Sequence, residues 1–203
     1  MLSPLNVSRE TIKKLKIYEA LLLKWQPHLN LVSKSTLNDI WNRHFLDSAQ
    51  LFKEISDKDS MICDLGSGAG FPGAVLAIMG CSNVTLIERD RKKCSFLRNV
   101  SRETNVNFSV FEGDVKEFPH KADIITSRAL APLKNLLDLT CPLLKPTTVC
   151  LFLKGCNIDS ELEDIPSKIK IEVFKKKSLT SEEGCILTLK SIKLPDTDIF
   201  REI

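Results

Sequence analysis

Short apolar runs alternate with amphipathic segments over most of the chain, and this alternation restricts the fold more than any other feature. The apolar runs predict β-strands at 61–65, 84–88, 108–111, 122–126 and 149–154. The amphipathic segments predict helices at 72–79, 90–104 and 130–144. Strands that alternate with helices form βαβ units, so the sequence predicts an α/β fold whose parallel sheet has helices on both faces.

Two further strands are predicted near the end of the chain, at 170–175 and 185–191, with no helix between them. The turn between them contains Ser181-Glu182-Glu183-Gly184. A connection without a crossover helix is typical of antiparallel strands. The whole pattern therefore predicts a Rossmann-like, mostly parallel seven-stranded sheet with a C-terminal antiparallel hairpin.

The N-terminal part of the chain is helical rather than alternating. Residues 8–26 have apolar side chains at helical spacing, with Ser8 as the candidate N-cap and Pro27 as the expected end. A shorter helical stretch is expected over about 36–55. The predicted organisation has two parts: an N-terminal helical extension, 1–55, and an α/β domain, 56–203.

The composition is that of an ordinary globular chain, with 43% apolar residues, 27% charged residues and a net charge of +3. No apolar run approaches the roughly 18–20 residues that span a bilayer, and the N-terminus lacks the apolar region of a secretion signal. The seven cysteines form no CxxC pair and lie far from the three histidines, which disfavours a zinc site. We therefore expect a cytoplasmic monomer with reduced thiols, no metal and no membrane contact.

The stretch Asp64–Gly73, between the first predicted strand and the next helix, is rich in glycine. A G-x-G-x-G spacing is formed by Gly66, Gly68 and Gly70. The loop belongs at the carboxyl edge of the parallel sheet, where ligands of open α/β folds bind. A second acid, Glu88, ends the next strand 22 residues after Gly66, where an acceptor for ribose hydroxyls is expected.

This loop favours S-adenosylmethionine over a dinucleotide. NAD-binding loops have the spacing G-x-G-x-x-G, whereas position 71 here is Phe71. S-adenosylmethionine has no phosphate, so the loop must only let the ligand lie on bare backbone, which glycine permits. Asp64 would orient the methionine ammonium, directly or through the loop. NAD binding and a glycine-rich turn without a ligand are the alternatives.

Further motifs occur in an order that points to one family. They are Asn30-Leu31, Arg43-His44-Phe45-Leu46-Asp47-Ser48, Asp64–Gly73 with its Phe-Pro-Gly end, Lys92-Lys93 before Phe96-Leu97, Ser127-Arg128-Ala129 and Lys154-Gly155. Through these motifs the chain, to about residue 155, resembles the bacterial RsmG (GidB) family. Enzymes of that family are S-adenosylmethionine-dependent methyltransferases that form 7-methylguanosine in small-subunit ribosomal RNA.

The resemblance implies a class I methyltransferase fold, S-adenosyl-L-methionine as cofactor, and 16S ribosomal RNA or the small ribosomal subunit as partner. It implies cofactor contacts at Gly66, Phe71, Val115-Lys116 and Arg128. Where the family commonly has Arg-x-Glu, this chain has Asp114-Val115-Lys116. Asp114 can accept a hydrogen bond from the adenine amino group, so we include it among the cofactor-binding residues.

Arg128, at a helix start after the fourth predicted strand, and Lys154, at the end of the fifth, lie beside the expected ligand site and are the candidate catalytic residues. A cation at a helix start is disfavoured by the helix dipole, so the position of Arg128 favours a functional role. His44 and Asp47 lie on one helical face, either as a local structural pair or as a contact to RNA or cofactor. Cys141-Pro142 resembles the nucleophile dipeptide of cytosine-C5 methyltransferases, but its place late in a helix favours core packing.

Guanine-N7 methylation of ribosomal RNA is the leading hypothesis. A methyltransferase for another RNA or for a small molecule is the first alternative, and a non-catalytic RNA-binding module with the same fold is the second. Basic residues cluster at 89–103 and at Lys175-Lys176-Lys177, either to bind RNA or as solvated surfaces. A D/N-P-P-Y/F element, which would indicate methylation of an exocyclic amine, is replaced by Ser127-Arg128-Ala129-Leu130.

Overall fold

The computed structural model describes residues 7–193. Residues 1–6 and 194–203 lie outside the described residues. The expectation of no secretion signal rests in part on residues 1–6. A seven-stranded sheet with the order β3-β2-β1-β4-β5-β7-β6 forms the centre of the structure. Its strands are β1 Ile62–Leu65, β2 Val84–Glu88, β3 Ser109–Glu112, β4 Ile124–Arg128, β5 Val149–Lys154, β6 Lys170–Lys177 and β7 Cys185–Lys193.

Strands β1 to β5 pair in parallel, whereas β7 is antiparallel to both β5 and β6. The predicted fold, a mostly parallel sheet with a C-terminal antiparallel hairpin, is confirmed. The chain runs outward from β1 to β3 on one side and then returns to β4 on the other side of β1. At such a reversal of strand order, the loops after β1 and β4 diverge and leave a crevice at the carboxyl edge of the sheet.

Helices flank the sheet. In the described part of the chain the α-helices are α1 Arg9–Leu29, α2 Asp47–Ala49, α3 Gly73–Met79, α4 Arg91–Thr104, α5 Leu133–Thr140 and α6 Ile158–Glu163. Ser8 caps α1 as predicted, since its side chain accepts a hydrogen bond from the Thr11 amide. Helix α6 is missing from the sequence prediction, because its six residues are too few to show a clear period.

The prediction that Pro27 ends the first helix is wrong, because α1 continues to Leu29. The end is set instead by Asn30, which adopts the left-handed conformation with φ 45° and donates its backbone N–H to the Gln26 carbonyl. The Gln26 side chain, which is buried, then accepts from the Val32 amide and donates to the Val32 carbonyl. These two hydrogen bonds satisfy the backbone N–H and carbonyl of Val32, which has no helical partners after α1 has ended.

The helix expected over 36–55 is a succession of short helical turns. It contains 3₁₀ turns at Lys34–Asp39 and Gln50–Glu54 and a π-helical turn at Trp41–Leu46, with α2 between the last two. We refer to residues 34–54 as the irregular helical segment. The wider π turn buries three successive side chains, His44, Phe45 and Leu46, which a regular α-helix surface would spread over different faces.

The helix expected over 130–144 begins only at Leu133. Pro132 disfavours helical geometry at the residue before it, and Ala129 has a positive φ of 51°. Arg128 therefore lies in strand β4 and not at a helix start, so the helix-dipole argument for its function is wrong. At the other end, α5 gives way to a 3₁₀ turn at Cys141–Leu143.

Two apolar clusters cover the two faces of the sheet. One joins Tyr18 of α1 and Phe45 of the irregular helical segment to Phe96 of α4 and to the inner strands. The other brings α5 and α6 together through Leu137 and Ile158. The N-terminal residues thus share their core with the α/β domain that we assign to 56–203. No helix in residues 7–193 has the length and apolar character required to cross a membrane.

Replacing Asn30 with alanine should lower the free energy of unfolding by about 1 kcal/mol, because a Cβ without a polar side chain disfavours the left-handed conformation. Asn30→Gly should stay close to the wild type, since glycine adopts positive φ freely. Urea denaturation followed by circular dichroism measures both. Asn38→Ala, at an exposed position in a 3₁₀ turn, is the control, and an equal loss there would contradict the role of Asn30.

Candidate active site

A cleft of about 1190 Å³ opens at the carboxyl ends of the parallel strands. It is lined by most of the residues predicted to contact cofactor or substrate: Gly66, Gly68, Phe71, Glu88, Asp114, Val115, Arg128 and Lys154. Asp64, Gly70 and Lys116 are not in the lining. The opposite wall comes from the irregular helical segment and from the turn between β6 and β7.

The three glycines of the loop after β1 have different surroundings. Gly66 and Gly68 have positive φ angles of 59° and 56°. A Cβ on Gly68 would meet only the Gly66 carbonyl, at 3.8 Å, so this position faces the open cleft. A Cβ on Gly70 would lie 2.9 Å from a methyl of Leu97 and would also press on Tyr18. Gly68 thus keeps the cleft open, whereas Gly70 permits the loop to pack against the helices.

Glu88 lies in the floor of the cleft and holds two backbone segments together. Its Oε2 accepts from the Gly68 amide and its Oε1 from the Asp90 amide, each at 2.8 Å. A carboxylate oxygen has two lone pairs, so each oxygen can accept a further hydrogen bond from a ligand hydroxyl. Asp90 in turn caps α4, since its side chain accepts from the Lys92 and Lys93 amides.

Asp64 is fully buried beneath the loop, where the cleft does not reach it. Its Oδ1 accepts from the Thr126 hydroxyl at 2.7 Å, while Oδ2 has no hydrogen-bond partner among residues 7–193. Burial raises the pKa of Asp64 to about 6, against the opposing effect of the Thr126 hydrogen bond. A carboxylate with an unpaired oxygen next to a ligand loop is an anionic charge that a bound cation would stabilise.

Phe71, the aromatic residue of the loop, packs against aromatic rings from the N-terminal helices. Its ring stacks on Tyr18 at 5.3 Å and on His44 at 5.1 Å, and it meets Phe45 edge-on at 5.4 Å. The Tyr18 hydroxyl also donates to the Ala69 carbonyl. The loop is therefore held from outside the α/β domain, and Tyr18 is a contact of the loop that the sequence pattern does not predict.

Arg128, at the end of β4, turns towards the irregular helical segment. Its Nη1 donates to the Arg43 carbonyl at 2.8 Å and lies 3.4 Å from Asp47 Oδ2, while Nη2 is 2.8 Å from His44 Nδ1. The guanidinium lies over the Phe71 ring, 5.0 Å from its centroid. Only 17% of the side chain is exposed, so Arg128 is not an ordinary surface arginine. His44 and Asp47 therefore meet at Arg128, a contact across more than 80 residues that helical spacing could not reveal.

Lys154, at the end of β5, is 10% exposed and forms an ion pair of 2.5 Å with Glu161. It also donates to the Ala131 carbonyl at 3.2 Å. Glu161 accepts from the Leu133 amide at 2.6 Å, at the first turn of α5. The pair joins β5, α6 and the loop before α5. Glu161 is absent from the predicted site residues because the sequence pattern does not predict α6.

The segment after β3 forms a 3₁₀ turn at Val115–Glu117. Asp114 caps this turn by accepting from the Lys116 amide at 2.9 Å, and Val115 is buried against the cleft. The Lys116 side chain points outwards and pairs with Asp138 at 2.9 Å. Cys141 donates to the Leu137 carbonyl at 3.4 Å and does not line the cleft.

The strand order, the glycine loop and the acid at the end of β2 define the class of S-adenosylmethionine-dependent methyltransferases. The ribosomal protein L11 methylase of Lactobacillus delbrueckii subsp. bulgaricus shares the fold with a TM-score of 0.57 at 14% identity, over 71% of this chain and 76% of that one. A TehB-like SAM-dependent methyltransferase from Corynebacterium glutamicum has a TM-score of 0.53 at 16% identity, over 71% of this chain and 87% of that one.

Sequence comparison identifies the family within that class. The family model "rRNA small subunit methyltransferase G" (GidB) matches residues 11–188. Enzymes named ribosomal RNA small subunit methyltransferase G are 44% identical in Paramagnetospirillum magneticum, over 95% of this chain and 94% of that protein, and 43% identical in Orientia tsutsugamushi, over 91% and 93%. The chain belongs to the rRNA small subunit methyltransferase G family. The resemblance and the cofactor inferred from the sequence, S-adenosyl-L-methionine, are confirmed.

The raised pKa of Asp64 predicts a pH-dependent stability. The folded state holds the Asp64 proton more tightly than the unfolded chain, where the pKa is near 4, so ionisation lowers stability as pH rises from about 4 to above 6. Asp64→Asn cannot ionise. Its stability relative to wild type should therefore increase through this window, by on the order of 2 kcal/mol.

Urea denaturation of wild type and variant at several pH values measures this difference. Asp123→Asn is the matched control, because the Lys145 ion pair lowers the pKa of Asp123 and gives its pH dependence the opposite sign. A difference between Asp64→Asn and wild type that stays constant from pH 4 to 7 would show that the pKa of Asp64 is not raised.

Proposed function

We propose that this enzyme transfers a methyl group from S-adenosylmethionine to N7 of a guanine in 16S ribosomal RNA. One observation carries the proposal: in a chain of this family, one cleft joins a bare glycine loop and Glu88 to Arg128, which ends β4 and has only 17% of its side chain exposed. The partner would be 16S ribosomal RNA, free or in the small subunit. The protein would act as a cytoplasmic monomer without a metal ion.

The cofactor fits the residues around the loop. Gly66 and Gly68 offer backbone without side chains, and a Cβ placed on Gly68 would meet only the Gly66 carbonyl at 3.8 Å, so a ligand would have room to lie there. Glu88 would accept from the ribose hydroxyls, and Asp114 from the adenine amino group, with Val115 as an apolar contact. Asp64 would act on the methionine ammonium through the loop, since it does not line the cleft.

The guanine would then approach from the side of Arg128 and Lys154. The three hydrogen bonds of Arg128 to the irregular helical segment use three of the five N–H donors of a guanidinium. Its remaining donors suit guanine O6, and arginine is the usual partner of a guanine edge. Asp47 and Glu161 balance the two cations, so neither opposes the positive charge that forms at N7 during transfer.

No general base is needed for this reaction. When bound, S-adenosylmethionine supplies a methyl group on a sulfonium, and guanine N7 has a free lone pair and no proton to lose. His44 is occupied by Arg128, and Cys141 does not line the cleft. The protein would accelerate the reaction by alignment, which can contribute several kcal/mol.

RNA would bind to the basic residues at the start of α4, beside the cleft. Lys93 lines the cleft itself, and Arg91 and Lys92 are exposed next to it. Because Asp90 caps this helix, the two lysine side chains project from a fixed first turn. The N-terminal helices would extend this surface.

Gly68→Val should weaken binding of S-adenosylmethionine by about tenfold or more, because the new side chain enters the space in which the cofactor lies. Gly80→Val is the matched control, since Gly80 also has a positive φ, of 117°, and an open surrounding, but lies at the far end of α3. Isothermal titration calorimetry measures both affinities. Equal affinities in the two variants would show that the cofactor does not bind against the glycine loop.

The test of the N7 assignment is an RNA substrate in which the target guanine is replaced by 7-deazaguanine. Methylation should be abolished, because carbon replaces the attacking nitrogen. Mass spectrometry of nuclease fragments reads the product, and a deaza substitution at a neighbouring guanine is the control. If the 7-deazaguanine nucleotide is still methylated, the enzyme transfers the methyl group to an atom other than N7.

The single-turnover rate should be nearly flat from about pH 6 to 9, because no proton is removed. Cys141→Ala should stay within a few-fold of wild type, whereas Arg128→Ala should lose activity through misplacement of the substrate. A rate that rises tenfold per pH unit across neutrality would indicate a general base.

Reversal of Lys92 and Lys93 to glutamate should weaken RNA binding and spare cofactor affinity. Each phosphate contact that is lost should reduce the slope of log K against log salt by roughly 0.7–0.9. The charge-matched control reverses Lys121 and Lys168, two exposed lysines that precede β4 and β6 at the opposite edge of the sheet. If both pairs leave the slope unchanged, the α4 lysines do not contact RNA.

A further inference from the structure

We propose that His44 is a positioning residue for methyl transfer: as a neutral imidazole it accepts a hydrogen bond from Arg128 and so fixes the guanidinium edge that faces the cleft. The inference rests on the proposed function, because it assigns a role to Arg128 in that reaction. A chain of hydrogen bonds runs through His44 from the irregular helical segment to the end of β4.

The direction of each hydrogen bond in this chain is determined. The Thr36 hydroxyl donates its single hydrogen to the Ser33 carbonyl at 2.7 Å. Thr36 Oγ1 can therefore only accept from His44 Nε2, which lies 2.8 Å away. With its proton on Nε2, a neutral imidazole has a lone pair on Nδ1, and Arg128 Nη2 lies 2.8 Å from that atom.

The same chain explains why the imidazole is neutral. An arginine has no acceptor, so a protonated Nδ1 would place two donors against each other. His44 is only 7% exposed, and burial together with the charges of Arg128 and Arg43 lowers its pKa to about 3. Asp47 is the carboxylate of this cluster, and it pairs with Arg128.

Without His44 the Nη2 of the guanidinium would have no hydrogen-bond partner among residues 7–193. Its only ion pair in the described residues is Asp47, at 3.4 Å, and Asp47 Oδ1 also accepts from Gln50 at 3.0 Å and from Thr180 at 2.7 Å. The stacking of His44 on Phe71 leaves the imidazole little freedom to move. His44 thus fixes one Nη of Arg128, while Asp47 and the Arg43 carbonyl fix the other.

The test compares two substitutions. In His44→Asn the side-chain oxygen can occupy the place of Nδ1 and accept from Arg128, whereas His44→Ala leaves no acceptor. We expect His44→Ala to lower the single-turnover rate at saturating RNA and cofactor by on the order of 10²-fold, the cost that a misplacement of about 1 Å can have. His44→Asn should recover most of the rate. His120→Ala, at an exposed histidine before β4, is the control and should leave the rate unchanged.

A double-mutant cycle separates positioning from folding. If His44 acts through Arg128, His44→Ala should have little further effect in an Arg128→Ala background. Multiplicative losses, or a His44→Asn variant as slow as His44→Ala while both retain the wild-type melting temperature, would overturn the proposal.

Nitrogen NMR of the histidine rings tests the proposal without any turnover. Wild-type His44 should be neutral with its proton on Nε2 from pH 5 to 8, and an imidazolium or an Nδ1-protonated ring would overturn the proposal even if His44→Ala failed to fold. The rates can be measured on any RNA that the wild type methylates. If that RNA is modified at an atom other than guanine N7, the proposed function fails while the cycle still tests His44.

Discussion

The packing of Phe71 against Tyr18, Phe45 and His44 is the interaction on which the site depends. A loop made largely of glycine has little conformational preference of its own, so it needs contacts from outside to hold one shape. Phe71 provides them, because it is the one large apolar side chain of the loop and it inserts among rings from the N-terminal helices. Glu88 secures the other side of the same loop by accepting from Gly68. The helical extension therefore supports the glycine loop, although its residues belong to no βαβ unit.

The charges in the cleft are arranged in compensated pairs. Arg128 lies with Asp47, and Lys154 with Glu161, in both cases with less than a quarter of either side chain exposed. Partly buried cations without carboxylates would be costly, and they would also repel the positive charge that develops on a methylated guanine. Paired cations can still donate hydrogen bonds. This arrangement agrees with a reaction that needs donors to orient a base and needs no base to remove a proton.

Sequence patterns were most successful where local physics is decisive. The strands of the sheet and helix α4 were predicted nearly to their bounds, since apolar periodicity and the Asp90 cap act over a few residues. The irregular helical segment, helix α6 and the start of α5 were not. Contacts with distant residues, such as the burial of His44 beside Arg128, set the backbone conformation of these segments. The spacing of apolar residues does not predict such contacts.

Patterns in the chain are enough to identify the class of fold, the glycine loop and the family, because alternating strands and helices and a few ordered motifs are local properties. The contacts of the charged residues are set by the folded structure. It placed Asp64 beneath the loop and Lys116 outside the cleft, and it joined His44 and Asp47 to Arg128. The reason is physical: the folded backbone decides whether a charged side chain meets water, a counter-ion or a ligand, and residues separated by more than 80 positions become neighbours only when the sheet has formed.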